Sequence, residues 1–155
     1  MCRFSSFLNQ VPPDRQAEGE LGTDVWLDVI RQTGPLTLVT FTGGEPFVRE
    51  DFLELLAAAS RKSRTHVLSN LTLLDADRTA QLSALAPKRL GGAGCNVIGT
   101  SLEGPRETHD LVRGKLGAFD RTVAVLRELR ERRDLSRRSC PTLWATAVIQ
   151  SANVD

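Results

Sequence analysis

The residues best suited to chemistry follow the apolar run 36–41, in the stretch Thr42-Gly43-Gly44-Glu45-Pro46. Glycine has no Cβ, so its backbone N–H and C=O groups can come close to a ligand. The Glu45 carboxylate could accept hydrogen bonds from a ligand ammonium group, while Pro46 fixes the direction in which the chain leaves. A simpler interpretation is that the glycines only turn the chain and Glu45 caps the next helix, because glycine and proline are the commonest turn residues. Both interpretations fit the motif on its own.

Polar residues recur where three other apolar runs end. The first is followed by Ser69-Asn70, the second by Thr100-Ser101, and the third by Gln150-Ser151 and then Asn153. Hydroxyl and amide side chains are common partners for ribose and carboxylate groups in ligand sites. Their recurrence at four successive positions favours a binding site over a simple turn.

The segments between these positions alternate between strand and helix patterns. Short apolar runs predict strands at 36–41, 65–69, 96–102 and 143–149, the first of them buried on both faces. Helical spacing predicts helices at 25–31, after Asp51, at 75–86 and across 119–129, with a solvated basic end at 130–139. Such alternation predicts an α/β fold with a parallel sheet and right-handed crossovers. A barrel and an open sheet both fit the periodicity, and in either one ligands bind at the carboxyl ends of the strands.

Composition describes an ordinary soluble domain. The chain has 155 residues, a net charge of +1, 41% hydrophobic residues and 25% charged residues, so neither nucleic acid nor a membrane is expected as a partner. No apolar run approaches the roughly 20 residues of a membrane span. Three widely spaced cysteines do not form a secreted disulfide framework, which favours a cytoplasmic protein. Cys95 and Cys140 are interpreted as small buried hydrophobic residues.

Together the motifs resemble the radical S-adenosylmethionine (SAM) superfamily, especially its cofactor-building and peptide-modifying branch. The similarity runs from about Thr23 to Asp155 and includes FTGGEPFVREDFLELL, THVLSNLTLL, ATAVIQSANVD and a block in which SLEG is followed by HD and RG. The GGEP motif is moderately specific alone and strong when that block follows it at this distance.

The resemblance implies an incomplete (β/α)6 partial TIM barrel with parallel strands, in which the first strand is missing. Residues 1–22 would be a remnant of the cluster loop and a linker, and residues 23–155 would supply one helix plus strands two to five. We therefore expect a fragment of a longer reading frame that also stops before the sixth strand.

The resemblance also assigns a SAM site. The Gly43-Gly44-Glu45 backbone and the Glu45 carboxylate would meet the methionine amino group, and Ser101 would bind the ribose or carboxylate. The other positions would be Ser69 and Asn70, which line the pocket, and Arg113, a candidate carboxylate partner. For Arg113, a solvated loop arginine is the more frequent fate. His109 is interpreted as orienting its loop rather than as an acid–base residue, and no catalytic residue is assigned.

The cluster motif is the main departure from the family. The family holds a [4Fe-4S] cluster with C-x-x-x-C-x-φ-C, so that three thiolates leave one iron open for SAM. Only Cys2 stands where such a motif would end, and Cys95 and Cys140 lie in other loops without the spacing. Two smaller departures are Leu71, where the family usually has glycine, and Glu103, where aspartate is commoner.

The resemblance implies that the full-length parent reductively cleaves SAM at the cluster. The resulting 5′-deoxyadenosyl radical would abstract hydrogen from a peptide or a small cofactor precursor, with flavodoxin or ferredoxin as electron donor. An alternative is a catalytically silent remnant or a binding module that lacks a complete cluster site. A third is an unrelated barrel lyase with a coincidental GGEP, which the SLEG block disfavours.

Overall fold

A computed structural model describes residues 19–89, 91–149, 151 and 153–154. Its five helices are α1 (Thr23–Arg31), α2 (Phe52–Ser60), α3 (Ala76–Ala84), α4 (Arg106–Arg113) and α5 (Ala118–Leu135). Its four strands are β1 (Leu38–Phe41), β2 (Arg64–Leu68), β3 (Gly94–Ser101) and β4 (Thr142–Thr146), and a 3₁₀ turn spans Pro46–Val48. None of the helices in these ranges is long and apolar enough to cross a bilayer.

The strands form one parallel sheet in the order β1-β2-β3-β4. The sheet is open in the described part of the chain, with β1 and β4 at its two edges. Parallel strands joined by helices are the predicted architecture, and the open sheet confirms the expectation of an incomplete barrel. Because the strands are parallel, all four carboxyl ends lie at the same end of the sheet, as a site shared by the four strand ends requires.

The core lies between the sheet and helices α2, α3 and α5. Burial alternates along β2, whereas β3 is buried along most of its length. Apolar side chains of both strands pack against helix residues at 3–4 residue spacing, which buries them together. The cluster consists of Phe47, Phe52, Leu56, Val67, Leu71, Leu74, Leu82, Cys95, Ile98, Val125 and Leu129. Cys95 and Cys140 are both buried free thiols, as predicted, and burial raises the pKa of Cys95 to about 12.

The expectation that the first predicted strand is buried on both faces is wrong. The strand begins at Leu38 rather than Leu36, whose side chain is 91% exposed, and exposed and half-buried residues alternate along it. A turn precedes it, in which Thr37 N–H donates to the Gly34 carbonyl at 3.0 Å. Because β1 pairs only with β2 among the described residues, part of its surface has no neighbouring element.

Helix α5 is longer than predicted and rotated from the expected stripe. It continues through the basic stretch to Leu135, supported by the i,i+4 ion pairs Glu128–Arg132 and Arg130–Asp134. Its buried side chains are Ala118, Thr122, Val125 and Leu129. Helical spacing predicts a stripe of Phe119, Val123, Leu126 and Leu129, of which only Leu129 is buried and the other three are partly buried. The rotation allows the Thr122 hydroxyl to donate to the Asn70 carbonyl at 2.9 Å.

Helix α4 was not predicted, because the SLEG block was interpreted as a loop. It has a Pro105 N-cap and ends at Gly114, which adopts the left-handed conformation with φ 63°. This arrangement of proline before a helix and glycine after it is a recognised signal. The apolar pattern does not predict this helix, because its buried residues are the polar His109 and Asp110, while Leu111 faces solvent.

Candidate functional site

A cavity of about 370 Å³ lies at the carboxyl ends of the four strands, and we call it the strand-end cavity. Six of the seven predicted SAM residues line it: Gly43, Gly44, Ser69, Asn70, Ser101 and Arg113. Glu45 lies beside it and contacts two of these residues. The predicted cluster ligand Cys2 lies outside the described residues. The tertiary structure therefore brings the strand-end residues together as the parallel-sheet argument anticipated.

The Glu45 carboxylate connects the first two strand ends. Oε1 accepts from Phe47 N–H at 3.1 Å and from Ser69 Oγ at 2.7 Å, and Oε2 accepts from Asn70 N–H at 2.8 Å. The first of these bonds caps the 3₁₀ turn Pro46–Val48, so the simple capping interpretation of Glu45 holds as well. An ionised carboxylate offers about four acceptor positions, and Glu45 uses three, which leaves one on Oε2 for a ligand donor.

Ser69 supports Glu45 instead of offering its hydroxyl to the cavity. Its Oγ donates to Glu45 and also accepts from Leu71 N–H at 2.9 Å. Asn70 makes a local turn in which its Oδ1 accepts from both the backbone N–H and the hydroxyl of Thr72. Between them Leu71 is fully buried with φ 62°, a conformation that favours glycine, which explains why glycine is usual there in the resembled family.

Backbone conformation explains one glycine of the GGEP segment. Gly43 has φ 145°, which side-chain-bearing residues rarely adopt, and a Cβ built there would meet nothing within 4 Å. Conformation, not crowding, therefore requires glycine at this position, and the space beside it opens to the cavity.

Two buried polar atoms of the cavity wall have no hydrogen-bond partner among the described residues: Thr100 Oγ1 and Arg113 Nε. Both residues line the cavity, although the two atoms themselves are covered. Buried polar groups in folded proteins are nearly always paired, so the two unpaired atoms at this wall point to a polar ligand. The two atoms belong to different elements, because Thr100 lies near the end of β3 and Arg113 is the last residue of α4.

Arg113 is not the solvated loop residue that its position suggested. Its Nη2 donates to Glu103 Oε1 at 2.8 Å, and its side chain is largely buried. His109, from the same helix, accepts at Nδ1 from Glu103 N–H at 3.1 Å, and its ring packs edge-on against Phe119. Burial, with the nearby positive charge of Arg113, lowers the pKa of His109 and favours its neutral form. This contact fits the orienting role predicted for His109.

Sequence reasoning missed several residues of the site. Thr100 was named as a polar strand-end residue and Glu103 as a departure from the family, but neither was given a role in the site. Trp144 and Thr146 come from β4 and line the same cavity, but nothing in their sequence context indicates a ligand. Within the ranges that the structure describes, no group of three or more His, Cys, Asp or Glu residues could hold a metal ion.

Comparisons with known proteins agree with this geometry. The model of the radical SAM superfamily matches residues 1–136. The chain is 36% identical over 122 residues to Fe-coproporphyrin III synthase of Methanosarcina barkeri, and covers 28% of that protein with 76% of its own length. It is 30% identical to the AdoMet-dependent heme synthase of Nitratidesulfovibrio vulgaris, and 84% of the chain covers 33% of that protein. The PqqA peptide cyclase of Rhizobium meliloti is 33% identical, with 71% of the chain covering 28% of it.

The fold also matches a solved structure, that of native anSMEcpe with bound AdoMet and Kp18Cys peptide, with a TM-score of 0.58. The two are 18% identical, and 85% of this chain covers 36% of that one. The chain thus spans about a third of the length of the proteins that it matches. With the superfamily model matching most of its residues and the four strand ends meeting at one cavity, the chain belongs to the radical SAM superfamily.

Proposed function

We propose that this chain is the SAM-binding core of a radical SAM enzyme that acts on a peptide or a small cofactor precursor. The relatives are named as porphyrin and heme synthases and a peptide cyclase, which supports these two substrate classes. The observation that carries the proposal is that Thr100 Oγ1 and Arg113 Nε, buried atoms of two residues in the wall of the strand-end cavity, have no hydrogen-bond partner in the part of the chain that the structure describes.

The donors and acceptors around the cavity fit the groups of SAM. Glu45 Oε2 has an acceptor position left for the amino group, and Arg113 Nε–H is a donor suited to the carboxylate. Thr100 and Ser101 supply hydroxyl groups of the kind that bind ribose oxygens. Half-exposed Trp144 offers an aromatic surface to the cavity, where a purine ring could stack.

In this proposal the chain's own residues bind and orient SAM. Glu45 is held by Ser69 and by the Asn70 backbone, so its carboxylate is fixed before the ligand arrives. The chemistry that SAM and a reduced [4Fe-4S] cluster supply when bound is one-electron cleavage of SAM, followed by hydrogen abstraction from the substrate. Flavodoxin or ferredoxin is the proposed electron donor.

Cys2 stays a proposed cluster ligand, with residues 1–22 as the proposed remnant of the cluster loop and linker. Reading the genomic codons upstream of Met1 tests this interpretation. An in-frame C-x-x-x-C that ends two codons before Met1 would support the parent enzyme. An in-frame stop codon there would instead support the silent remnant or binding module.

A binding experiment tests the SAM site directly. The chain has two tryptophans, and Trp144 lines the cavity while Trp26 lies on α1, so a Trp26→Phe variant reports on the cavity by fluorescence. We compare S-adenosylhomocysteine with 5′-methylthioadenosine, because both are thioethers and they differ by the amino-acid group. SAM itself is titrated in parallel.

We expect the Trp26→Phe chain to bind S-adenosylhomocysteine at least about tenfold more tightly than 5′-methylthioadenosine, the value of one charge-assisted hydrogen bond. Glu45→Gln should reduce this preference, since the amide cannot reproduce the acceptors of the carboxylate. Glu50→Gln is the matched control, because Glu50 is an exposed acid. Equal affinity for the two ligands, or no binding of either, would contradict the proposed site.

A further inference from the structure

Glu103 lies beside the strand-end cavity, and both its side chain and its backbone form hydrogen bonds. It follows β3, and its side chain is only 6% exposed. Its Oε1 accepts from Arg113, and its Oε2 accepts from Val148 N–H at 3.0 Å. Its backbone N–H donates to His109 Nδ1, and its carbonyl accepts from Asn153 Nδ2 at 2.8 Å. A buried carboxylate is tolerated only where it is paired and hydrogen-bonded, and here both oxygens are used.

These bonds join three separate segments of the cavity wall. Helix α4 contributes Arg113 and His109, the end of β3 contributes Glu103 itself, and the segment after β4 contributes Val148 and Asn153. The Val148 N–H fixes Oε2, while Arg113 contacts Oε1. The other oxygen is therefore held in place before it contacts the guanidinium.

The direction of the guanidinium follows from this contact. A guanidinium is planar and rigid, so fixing Nη2 against Glu103 also restricts the direction of Nε–H. That Nε is the buried donor without a partner among the described residues, and its side chain lines the cavity. Arginine otherwise has several rotatable bonds, and a free side chain would seldom present this donor at one place.

We infer that Glu103 is a positioning residue: it holds the Arg113 guanidinium at the cavity wall, where the guanidinium meets the carboxylate of the SAM amino-acid group. This inference rests on the proposed SAM site. It also gives a reason for glutamate at a position where the resembled family more often has aspartate. The side chain must reach both Arg113 and Val148 N–H, and aspartate is one methylene shorter.

Two effects of Glu103 oppose each other and can be separated by experiment. Its negative charge partly neutralises Arg113, which by itself would weaken the binding of an anionic group. Its fixed geometry orients the donor, which would strengthen binding. The inference is that orientation dominates, because the Glu103–Arg113 pair is buried and its geometry is held from both sides.

The test uses the Trp26→Phe chain with S-adenosylhomocysteine and 5′-methylthioadenosine as probes. Glu103→Gln keeps the size of the side chain but replaces one acceptor oxygen by a donor NH₂ group, so it cannot serve Arg113 and Val148 together. We expect it to weaken S-adenosylhomocysteine binding by about tenfold or more and to leave 5′-methylthioadenosine binding unchanged. Glu103→Asp should have a smaller effect with the same selectivity.

A double-mutant cycle shows whether Glu103 acts through Arg113. Arg113→Lys keeps the charge and removes Nε, so it should also weaken S-adenosylhomocysteine selectively. Adding Glu103→Gln to Arg113→Lys should then cause little further loss. Circular dichroism and thermal unfolding of each variant establish that it is folded. If Glu103→Gln does not fold, the same selective loss in Glu103→Asp and Arg113→Lys carries the test.

Several results would overturn the inference while the SAM site stands. They are equal weakening of both probes by Glu103→Gln, tighter binding of S-adenosylhomocysteine, unchanged binding of both, and additive effects in the double variant. Equal weakening would assign Glu103 a purely structural role, and tighter binding would make it a competitor for Arg113. Failure of the parent Trp26→Phe chain to bind either probe would overturn the proposed site and this inference together.

Discussion

Ser69 Oγ lies 2.7 Å from Glu45 Oε1, although the two residues are 24 positions apart in the sequence. The contact joins the carboxyl ends of neighbouring strands β1 and β2, and the same Ser69 oxygen accepts from Leu71 N–H. The Ser69 hydroxyl therefore orients Glu45 and accepts a hydrogen bond from the N–H of Leu71, the residue in the left-handed conformation. Ser69 lines the cavity, and its hydroxyl also fixes its neighbours, a role that the sequence did not indicate.

Replacing Ser69 by alanine should lower stability and ligand preference together. The change leaves the buried Leu71 N–H without its acceptor and removes one bond to Glu45, so we expect a loss of about 1–3 kcal/mol in the free energy of unfolding. Urea denaturation measures it. Ser69→Thr keeps the hydroxyl and should retain most of the stability, while Ser83→Ala on α3 serves as the control. A Ser69→Ala chain as stable as the parent would contradict the assignment.

At Leu71, substitution by glycine should destabilise the fold less than substitution by alanine, which reverses the usual order. Its side chain is fully buried in the core, so Leu71→Ala should cost about 2–5 kcal/mol. Because φ is 62°, however, alanine keeps the clash of a Cβ in the left-handed region and glycine does not. We expect Leu71→Gly to be about 0.5–1 kcal/mol more stable than Leu71→Ala, once the greater unfolded-state entropy of glycine is included. Equal or reversed stability, measured by urea denaturation, would refute the conformational explanation.

Glu45→Gln should destabilise the chain even without a ligand. The carboxylate accepts three hydrogen bonds, and the amide turns one of its two acceptor atoms into a donor that faces another donor. Hydrogen bonds to charged groups contribute about 1.5–3 kcal/mol each, so a loss of at least about 1.5 kcal/mol is expected. Thermal unfolding of Glu45→Gln beside Glu50→Gln separates this loss from a general charge effect. Identical melting curves for the two variants would contradict it.

The stability of the fold should fall between neutral and mildly acidic pH because of His109. Burial lowers its pKa below the ordinary 6.5, so the unfolded chain binds a proton more readily than the folded chain. The stabilisation is full above about pH 6.5 and is lost as the pH falls through the folded-state pKa. Protonation also places an N–H at Nδ1, which faces the Glu103 N–H.

The measurement must separate the two histidines, because burial and the charge of Arg64 also lower the pKa of His66. In a His66→Asn background we expect a slope of at most about 1.4 kcal/mol per pH unit in the free energy of unfolding between pH 7.5 and 5. Adding His109→Asn should remove this slope. A slope that survives the second substitution would assign the effect to other groups.

The sequence determined the fold class and the location of the site. Strand and helix periodicities predict elements that alternate. A helix that crosses over between two strands makes those strands parallel, so all carboxyl ends lie at one end of the sheet. The polar residues that directly follow each apolar run are therefore expected to lie close together at that end. Six of the seven SAM residues assigned by resemblance line the same cavity, and the seventh, Glu45, bonds two of them.

Local patterns failed where long-range contacts override periodicity. Helix α4 lacks an apolar stripe, because its buried residues, His109 and Asp110, are held by hydrogen bonds to Glu103, Gly117 and Phe119. Helix α5 is rotated so that Thr122 can satisfy the Asn70 carbonyl of another turn. The Thr122–Asn70 contact spans 52 residues, which no local window contains. The partners of His109 and Asp110 lie 6 to 9 residues away, but they are polar contacts that hydrophobic periodicity does not detect.

Only the tertiary structure decided what each side chain of the site does. The sequence places Ser69 and Glu103 beside the site, but the directions in which their oxygens point depend on how the loops cross one another. In the folded chain Ser69 is hydrogen-bonded to Glu45, and Glu103 is hydrogen-bonded to Arg113 and Val148. Arg113 Nε and Thr100 Oγ1 have no hydrogen-bond partner among the described residues. The physical reason is that spacing along a chain selects which residues share an edge, whereas hydrogen-bond direction is set by packing in three dimensions.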